Sequence, residues 1–222
     1  MKLYLTSYRI PNIKALFSLF DKSAAELKGL LVMNAKGHYG SQGEAAIGST
    51  LKYLYALGFK YVEVFDLRNA ALKGESLRKK LHEQDFIYVA GGNGHDIMAA
   101  INDTKVAAVL KNAIDTGAVY IGESSGAIIL GPSLIGFDSA EAYGDTGSCT
   151  GEGLALIDTI IVPHNNSPDE KYAGRAPSIQ AQNPGLKVLA LNDNQALVIS
   201  GDLEQIVSGD DNHSRLAYQK QF

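Results

Sequence analysis

A single cysteine in 222 residues, Cys149, leaves no disulfide framework within the chain. It lies in a Gly/Thr/Ser loop with no second cysteine for a metal site, and it reads as a loop thiol. Charge is also in short supply: 20 basic and 24 acidic residues leave a net charge of −4 and a pI near 5.7. Such a balance offers no general attraction to nucleic acid or to anionic lipid. No apolar run approaches the roughly 20 residues that cross a bilayer, and Met1-Lys-Leu-Tyr-Leu-Thr6 is interrupted and strand-like rather than a basic segment followed by an apolar stretch. The expectation is a soluble, cytoplasmic protein with neither nucleic acid nor membrane as partner. Repeats and low-complexity segments are missing as well. Neither glycine-rich stretch, Gly91 to Asp96 or Gly122 to Leu130, completes G-x-G-x-x-G or the Walker pattern, which argues against a nucleotide site.

What remains is an ordinary globular composition, 45% hydrophobic and 20% charged, in a chain long enough for one good core. Residues 1–222 are read as a single domain. A β-then-α rhythm organises it. Strands are expected at Lys2 to Thr6, Gly29 to Met33, Tyr61 to Phe65, Phe86 to Val89 and about Val119 to Ile121. Helices are expected between them: from Pro11 onward, from about Glu44 to Leu57 after a turn holding Gly37, Gly40 and Gly43, and from Ser76 to about Glu83. A further stretch runs to Ile114, with Asp96 as N-cap and Gly117 just past its end. Parallel strands need crossovers, and crossovers bring helices to both faces, so the class is α/β with a mostly parallel sheet. Ligands of such sheets bind at the carboxyl ends of the strands. Beyond Phe137 comes a polar, glycine-rich loop to Gly153 that can drape over that edge. Thr159 to Val162 then forms another strand, and from Lys187 to Val207 short strands follow with hairpin turns.

One stretch carries chemistry. Gly122, Ser124 and Gly126 fit a G-x-S-x-G turn with apolar runs on both sides, as a strand, a sharp turn and a buried helix require. A serine so placed stands above the sheet edge, and only glycine avoids a Cβ clash where the turn folds on itself. Read from the string alone, the turn is either a nucleophile elbow or a plain Gly/Ser connection. A serine nucleophile needs a base. Of five histidines, His164 directly follows an apolar strand and belongs at the same edge as Ser124, as the base or as a capping histidine. His82, in a charged helix, is a surface residue. Asp193, in an Asn-Asp-Asn turn after a strand, is either the acid that orients the base or only a turn residue.

Taken together, Gly91-Gly92-Asn93 after one strand, Gly122-Glu-Ser-Ser-Gly-Ala127 after the next, and Leu154-Ala-Leu-Ile-Asp-Thr-Ile-Ile-Val-Pro-His164 resemble the motifs of peptidase family S51, the aspartyl dipeptidase (dipeptidase E) and cyanophycinase group. The likeness runs from about Leu30 to Ser200. It implies a three-layer α/β/α sandwich related to class I glutamine amidotransferases and a Ser-His-Glu/Asp triad. Carried onto this chain, the nucleophile is Ser124, the base His164 and the acid Asp193, where relatives commonly have Glu. The backbone N–H groups of Gly92 and Ser125 would form the oxyanion hole, and donors converging from neighbouring strand ends suit that task on physical grounds too. The resemblance implies no metal and no cofactor.

Several positions depart from the family pattern. Ser125 stands where the family usually has Ala, Glu123 puts a carboxylate beside the nucleophile, and Gly94-His95 follow Asn93 in place of Thr and an aromatic residue. Asn93 and Glu123 are candidate substrate contacts. Arg175 lies in the region where aspartyl dipeptidases place an arginine for an acidic substrate side chain, at a different spacing, and is either that residue or a surface arginine. Asp138 is a second candidate acid. The resulting expectation is a serine exopeptidase of short peptides, with Asp-X dipeptides as the lead substrate. An esterase using Ser124, Asp193 and His213 in the α/β-hydrolase order competes with it, as does a catalytically silent protein that binds a small ligand.

Overall fold

A computed structural model of the chain describes residues 1–35, 40–69, 74–137 and 150–209. Gly37, Asp138, Cys149 and His213 lie outside the described residues. A seven-stranded sheet forms the centre, built from β1 (Lys2–Thr6), β2 (Lys28–Val32), β3 (Tyr61–Phe65), β4 (Phe86–Val89), β5 (Val119–Glu123), β8 (Gln195–Ser200) and β9 (Leu203–Ser208), in the order β3-β2-β4-β5-β1-β8-β9. The first five of that order are parallel, and β8 pairs antiparallel with both β1 and β9.

Side-chain parity decides which layer each strand residue joins. Leu3, Leu5, Leu30, Val32, Ile87, Val89 and Tyr120 pack on one face, with α3 (Glu75–His82), α4 (Gly94–Thr104), α5 (Ala107–Asp115) and α7 (Arg175–Gln182). Their neighbours Tyr4, Leu31, Phe86, Tyr88, Val119 and Ile121 pack on the other, with α1 (Ile13–Phe17) and α2 (Gly40–Ala56). Because both faces are covered, the central strands β4 and β5 are buried at every position. The result is a three-layer α/β/α sandwich, as the sequence pattern predicts.

The structure corrects four expectations. Gly40 and Gly43 belong to α2, which starts earlier than predicted, because glycine inside an otherwise regular helix costs only about 1 kcal/mol. Asp96 is not the N-cap of the following helix: Asn93 is, its side chain accepting the His95 N–H, and Asp96 sits buried in the first turn. That helical stretch is also two helices, α4 and α5, separated where Lys105 turns left-handed at φ 55°. Last, β6 (Thr159–Val162) leaves the main sheet and pairs in parallel with β7 (Lys187–Ala190) in a sheet of two. Among the described residues from Lys187 onward, β8 and β9 alone form a hairpin pair. Among the described residues no helix is long and apolar enough to cross a membrane.

At the amino ends of the strands, Asp85 acts as a clasp. Its carboxylate accepts the Lys28 N–H (2.9 Å) and the Lys22 ammonium (2.6 Å), while its own backbone bonds Lys28 and Val119. Burial pushes this carboxyl's pKa up, but the bonds from Lys22 and Lys28 outweigh it and the group ends below the usual carboxylate range. A depressed carboxyl stabilises the fold above its unfolded pKa and loses that contribution as pH falls through the folded value. Asp85→Ala is therefore expected to lower stability by about 1 kcal/mol near pH 7, a figure discounted for partial solvent exposure. The deficit should shrink as pH drops below about 4. Urea melts at pH 7 and pH 3 measure it; equal deficits at both would show that the carboxylate charge plays no part.

Candidate active site

The carboxyl ends of β5 in the large sheet and of β6 and β7 in the small one meet at one site. Ser124 leaves β5 with φ 52° and ψ −111°, a conformation non-glycine residues seldom adopt. A Cβ on Gly122 would stand 2.5 Å from the Gly126 carbonyl oxygen, so glycine is needed there because the turn folds on itself. At Gly126 the obstacle is different: its Cβ would lie 2.1 Å from the carbonyl oxygen of Val89 on β4. The neighbouring strand, not the turn, excludes a side chain there. The predicted buried helix after the turn is one turn long, α6 (Ser125–Ile128). Its N-terminus offers first-turn N–H groups that have no partner within the helix rather than the end of a long dipole.

His164 and Asp193 arrive from the small sheet. Val162 and Ala190 are register partners, and the pairing continues through the Leu191 N–H to Val162 O and the Asn165 N–H to Leu191 O. The two strands therefore deliver His164 and Asp193 side by side. His164 Nδ1 lies 2.7 Å from Asp193 Oδ1, and its Nε2 lies 3.0 Å from Ser124 Oγ. Both residues are buried. A carboxylate only accepts, so Nδ1–H points at Asp193, which leaves Nε2 facing the Ser124 hydroxyl. The Tyr172 ring packs on the imidazole at 4.6 Å between centroids.

These groups open into a cleft of about 480 Å³, a size typical of small-molecule sites. Gly92, Asn93, Glu123, Ser125 and Arg175 line it together with Ser124 and His164, and Asp193 is reached from it through His164. Asn93 spends its Oδ1 on capping α4, and its Nδ2 is buried with no hydrogen-bond partner among the described residues. Glu123 is committed before any ligand arrives. Tyr88 donates its hydroxyl to Oε2 at 2.8 Å and the Arg9 N–H donates to Oε1 at 3.1 Å, with Arg9 Nε at 3.9 Å. Burial drives the Tyr88 hydroxyl's pKa far upward, reinforced by the Glu123 charge, so Tyr88 stays a donor. Burial also opposes the charge on Arg9, but Glu123 together with Tyr88, Tyr8 and Tyr53 outweighs it and the guanidinium ends above its ordinary value. Arg175 stands at the head of α7 with its guanidinium 5.1 Å from the Phe137 ring and 5.4 Å from the Tyr172 ring.

A family model for peptidase family S51 matches residues 43–207. The chain belongs to that family. An uncharacterized peptidase of Listeria monocytogenes is 30% identical over 152 residues, which cover 68% of this chain and 72% of that protein. Two crystal structures share the fold. One, of a candidate peptidase E from Listeria monocytogenes EGD-e, has a TM-score of 0.72 at 23% identity, covering 93% of this chain and 98% of its own. The other, a peptidase from an acI-B1 actinobacterium, has a TM-score of 0.67 at 15% identity over 95% of both chains.

Within this S51 peptidase, the Ser125 hydroxyl is explained by its partner. It donates to the Gly92 carbonyl, tying together the two segments whose N–H groups were expected to form an oxyanion hole. Sequence reasoning missed Tyr8, Arg9, Thr50 and Tyr172 as parts of the cleft wall. Arg9 has a left-handed backbone at φ 51°, which the sequence does not reveal. The close approach at Gly126 yields a direct test. Gly126→Ala drives a methyl into the backbone of a central strand and is expected to cost about 3 kcal/mol. An unchanged urea midpoint would refute this packing of α6 against β4.

Proposed function

We propose that this chain is a serine peptidase that releases the N-terminal residue of short peptides, with Asp-X dipeptides as the lead substrate. The observation that carries the reading is the continuous pair of hydrogen bonds that runs from Ser124 in the cleft wall through His164 to the buried Asp193. In this reading Ser124 Oγ attacks the scissile carbonyl while His164 Nε2 takes its proton. Asp193 stabilises the imidazolium so formed. The carbonyl oxygen becomes an oxyanion facing the N–H groups of Gly92 and Ser125. Collapse breaks the C–N bond, Nε2 returns the proton to the leaving amine, and an acyl-enzyme on Ser124 remains. Water, deprotonated by the same nitrogen, then attacks the ester and restores Ser124.

Substrate choice rests on the cleft wall. Arg175 is the cation proposed to meet an acidic side chain, held between two aromatic rings that limit its rotamers. The buried Asn93 Nδ2 is proposed to donate to a substrate carbonyl, since a buried donor with no partner calls for one. The esterase reading needs His213 beside Ser124, and His164 already holds that place at 3.0 Å.

Hydrolysis of Asp-Leu and Leu-Leu by the wild type, Ser124→Ala and Arg175→Met tests the whole reading. Asp-Leu turnover should fall by about 10⁴-fold or more in Ser124→Ala. Arg175→Met should raise KM for Asp-Leu by about 10- to 100-fold, the value of one charged contact, while leaving Leu-Leu unaltered. Turnover that survives in Ser124→Ala would overturn the nucleophile assignment, and an equal loss on both peptides in Arg175→Met would remove the acidic specificity.

A further inference from the structure

Ser7 was not among the residues the sequence nominated, yet it is one of the points at which the large sheet grips the small one. It lies one residue past β1, just as Ser124 lies one residue past the neighbouring strand β5, with Thr6 and Glu123 in register between them. Unlike Ser124 it is fully buried, and it does not line the cleft. Its hydroxyl is used in both directions. The backbone N–H of His164 donates to Ser7 Oγ at 2.7 Å, and Ser7 Oγ lies 2.9 Å from Asp193 Oδ1. Since an N–H can only donate, the hydroxyl must accept there, and its single proton goes to the carboxylate. Polarity is thereby fixed.

Two donors consequently converge on one oxygen: His164 Nδ1–H at 2.7 Å and Ser7 Oγ–H at 2.9 Å, both on Asp193 Oδ1. The other end of the arrangement is strained, because His164 is held at φ 65°, in the left-handed region. The bond from its N–H to Ser7 anchors that unfavourable peptide. Asp193 gains a second anchor through its own N–H, which donates to Asn166 Oδ1 at 2.8 Å.

We propose that Ser7 is a positioning residue for the hydrolytic reaction, a buried hydroxyl on β1 that sets the His164 backbone and the Asp193 carboxylate relative to each other and thereby aims Nε2 at Ser124. The inference rests on the serine-peptidase reading given above. Because Ser7 touches no substrate, removing its hydroxyl should act on the chemical step and spare binding. Partners that orient a functional side chain through a hydrogen bond typically change activity by about 10- to 100-fold.

The test measures Asp-Leu hydrolysis by the wild type, Ser124→Ala, Ser7→Ala and Ser7→Cys, alongside the downfield proton resonance of His164 Nδ1–H. Ser7→Cys keeps the shape of the side chain but bonds weakly, so it covers the case in which Ser7→Ala fails to fold. Both Ser7 variants are expected to lose about 10- to 100-fold in kcat with KM within about twofold of wild type. The His164 resonance should shift or broaden in each. A folded Ser7 variant with wild-type kcat and an unmoved resonance overturns the proposal while leaving the peptidase reading intact. A loss confined to KM also overturns it. If the wild type itself turns over no peptide, the peptidase reading falls, and the resonance alone decides whether Ser7 sets the His164–Asp193 pair.

Discussion

The cleft depends on parallel strands of two separate sheets ending side by side, with a hydrogen bond across the seam between them. Ser124 belongs to the seven-stranded sheet, His164 and Asp193 to the two-stranded one, and the 3.0 Å contact between Ser124 and His164 spans the gap. Such a contact tolerates little error, since hydrogen bonds weaken steeply with distance and angle. The glycines on the Ser124 side make the approach possible. A side chain at Gly122 or Gly126 would push into backbone carbonyls at 2.5 Å and 2.1 Å, and a Cβ on Gly92 would stand 2.3 Å from the carbonyl oxygen of Ala35. Each of these obstacles is backbone within the core and cannot move aside.

Charge is arranged around this seam with equal constraint. Glu123 is buried one residue before the nucleophile, where an unpaired carboxylate would be costly. Arg9 and Tyr88 both engage it, and Arg9 is in turn fixed by the Thr50 hydroxyl at 3.3 Å and by the Tyr53 ring at 4.8 Å. Parity explains the partnership: Glu123 shares the face of Val119 and Ile121, the α2 side, where Tyr88 and Tyr53 also lie. Arg175 comes from α7 on the opposite layer. Cations thus reach the cleft from both faces of the sheet, one already neutralised by Glu123 and one packed against aromatic rings.

Much of this was legible in the sequence because strand ends are. Apolar runs placed β3 and β4 at the residues observed, and the turns after β4, β5 and β6 were therefore expected at one edge, with Ser124 and His164 among them. What the sequence could not show are quantities fixed by tertiary contact. Lys105 breaks a helical stretch in the left-handed conformation, with no glycine or proline to mark it. Nothing in Thr159 to Val162 distinguishes a strand of the main sheet from a strand of a separate pair. Ser7 and Arg9 were invisible for a related reason: their partners are 186 and 114 residues away, and each sits in a loop whose local sequence reads as no motif.

The separate pairing of β6 and β7 has a consequence for how the site keeps its geometry. Had His164 followed a strand of the main sheet, ladder hydrogen bonds would have fixed its height relative to Ser124. Among the described residues no ladder joins the two sheets, so their relative position comes from apolar packing and from a few side-chain bonds. The packing is non-directional: Ile160, Ile161 and Val162 join the same buried cluster as Leu5, Val89 and Ala127. It can hold the sheets together but cannot set a distance to within a few tenths of an ångström. Directional bonds have to do that, and they are found where the accuracy is needed, at His164 and Asp193, with strained backbone at Ser124 and His164 on either side of the seam. Strain of this kind persists only where surrounding contacts over-determine the conformation. Its presence on both sides of one 3.0 Å contact marks this seam as the place where the fold gives up local comfort for alignment.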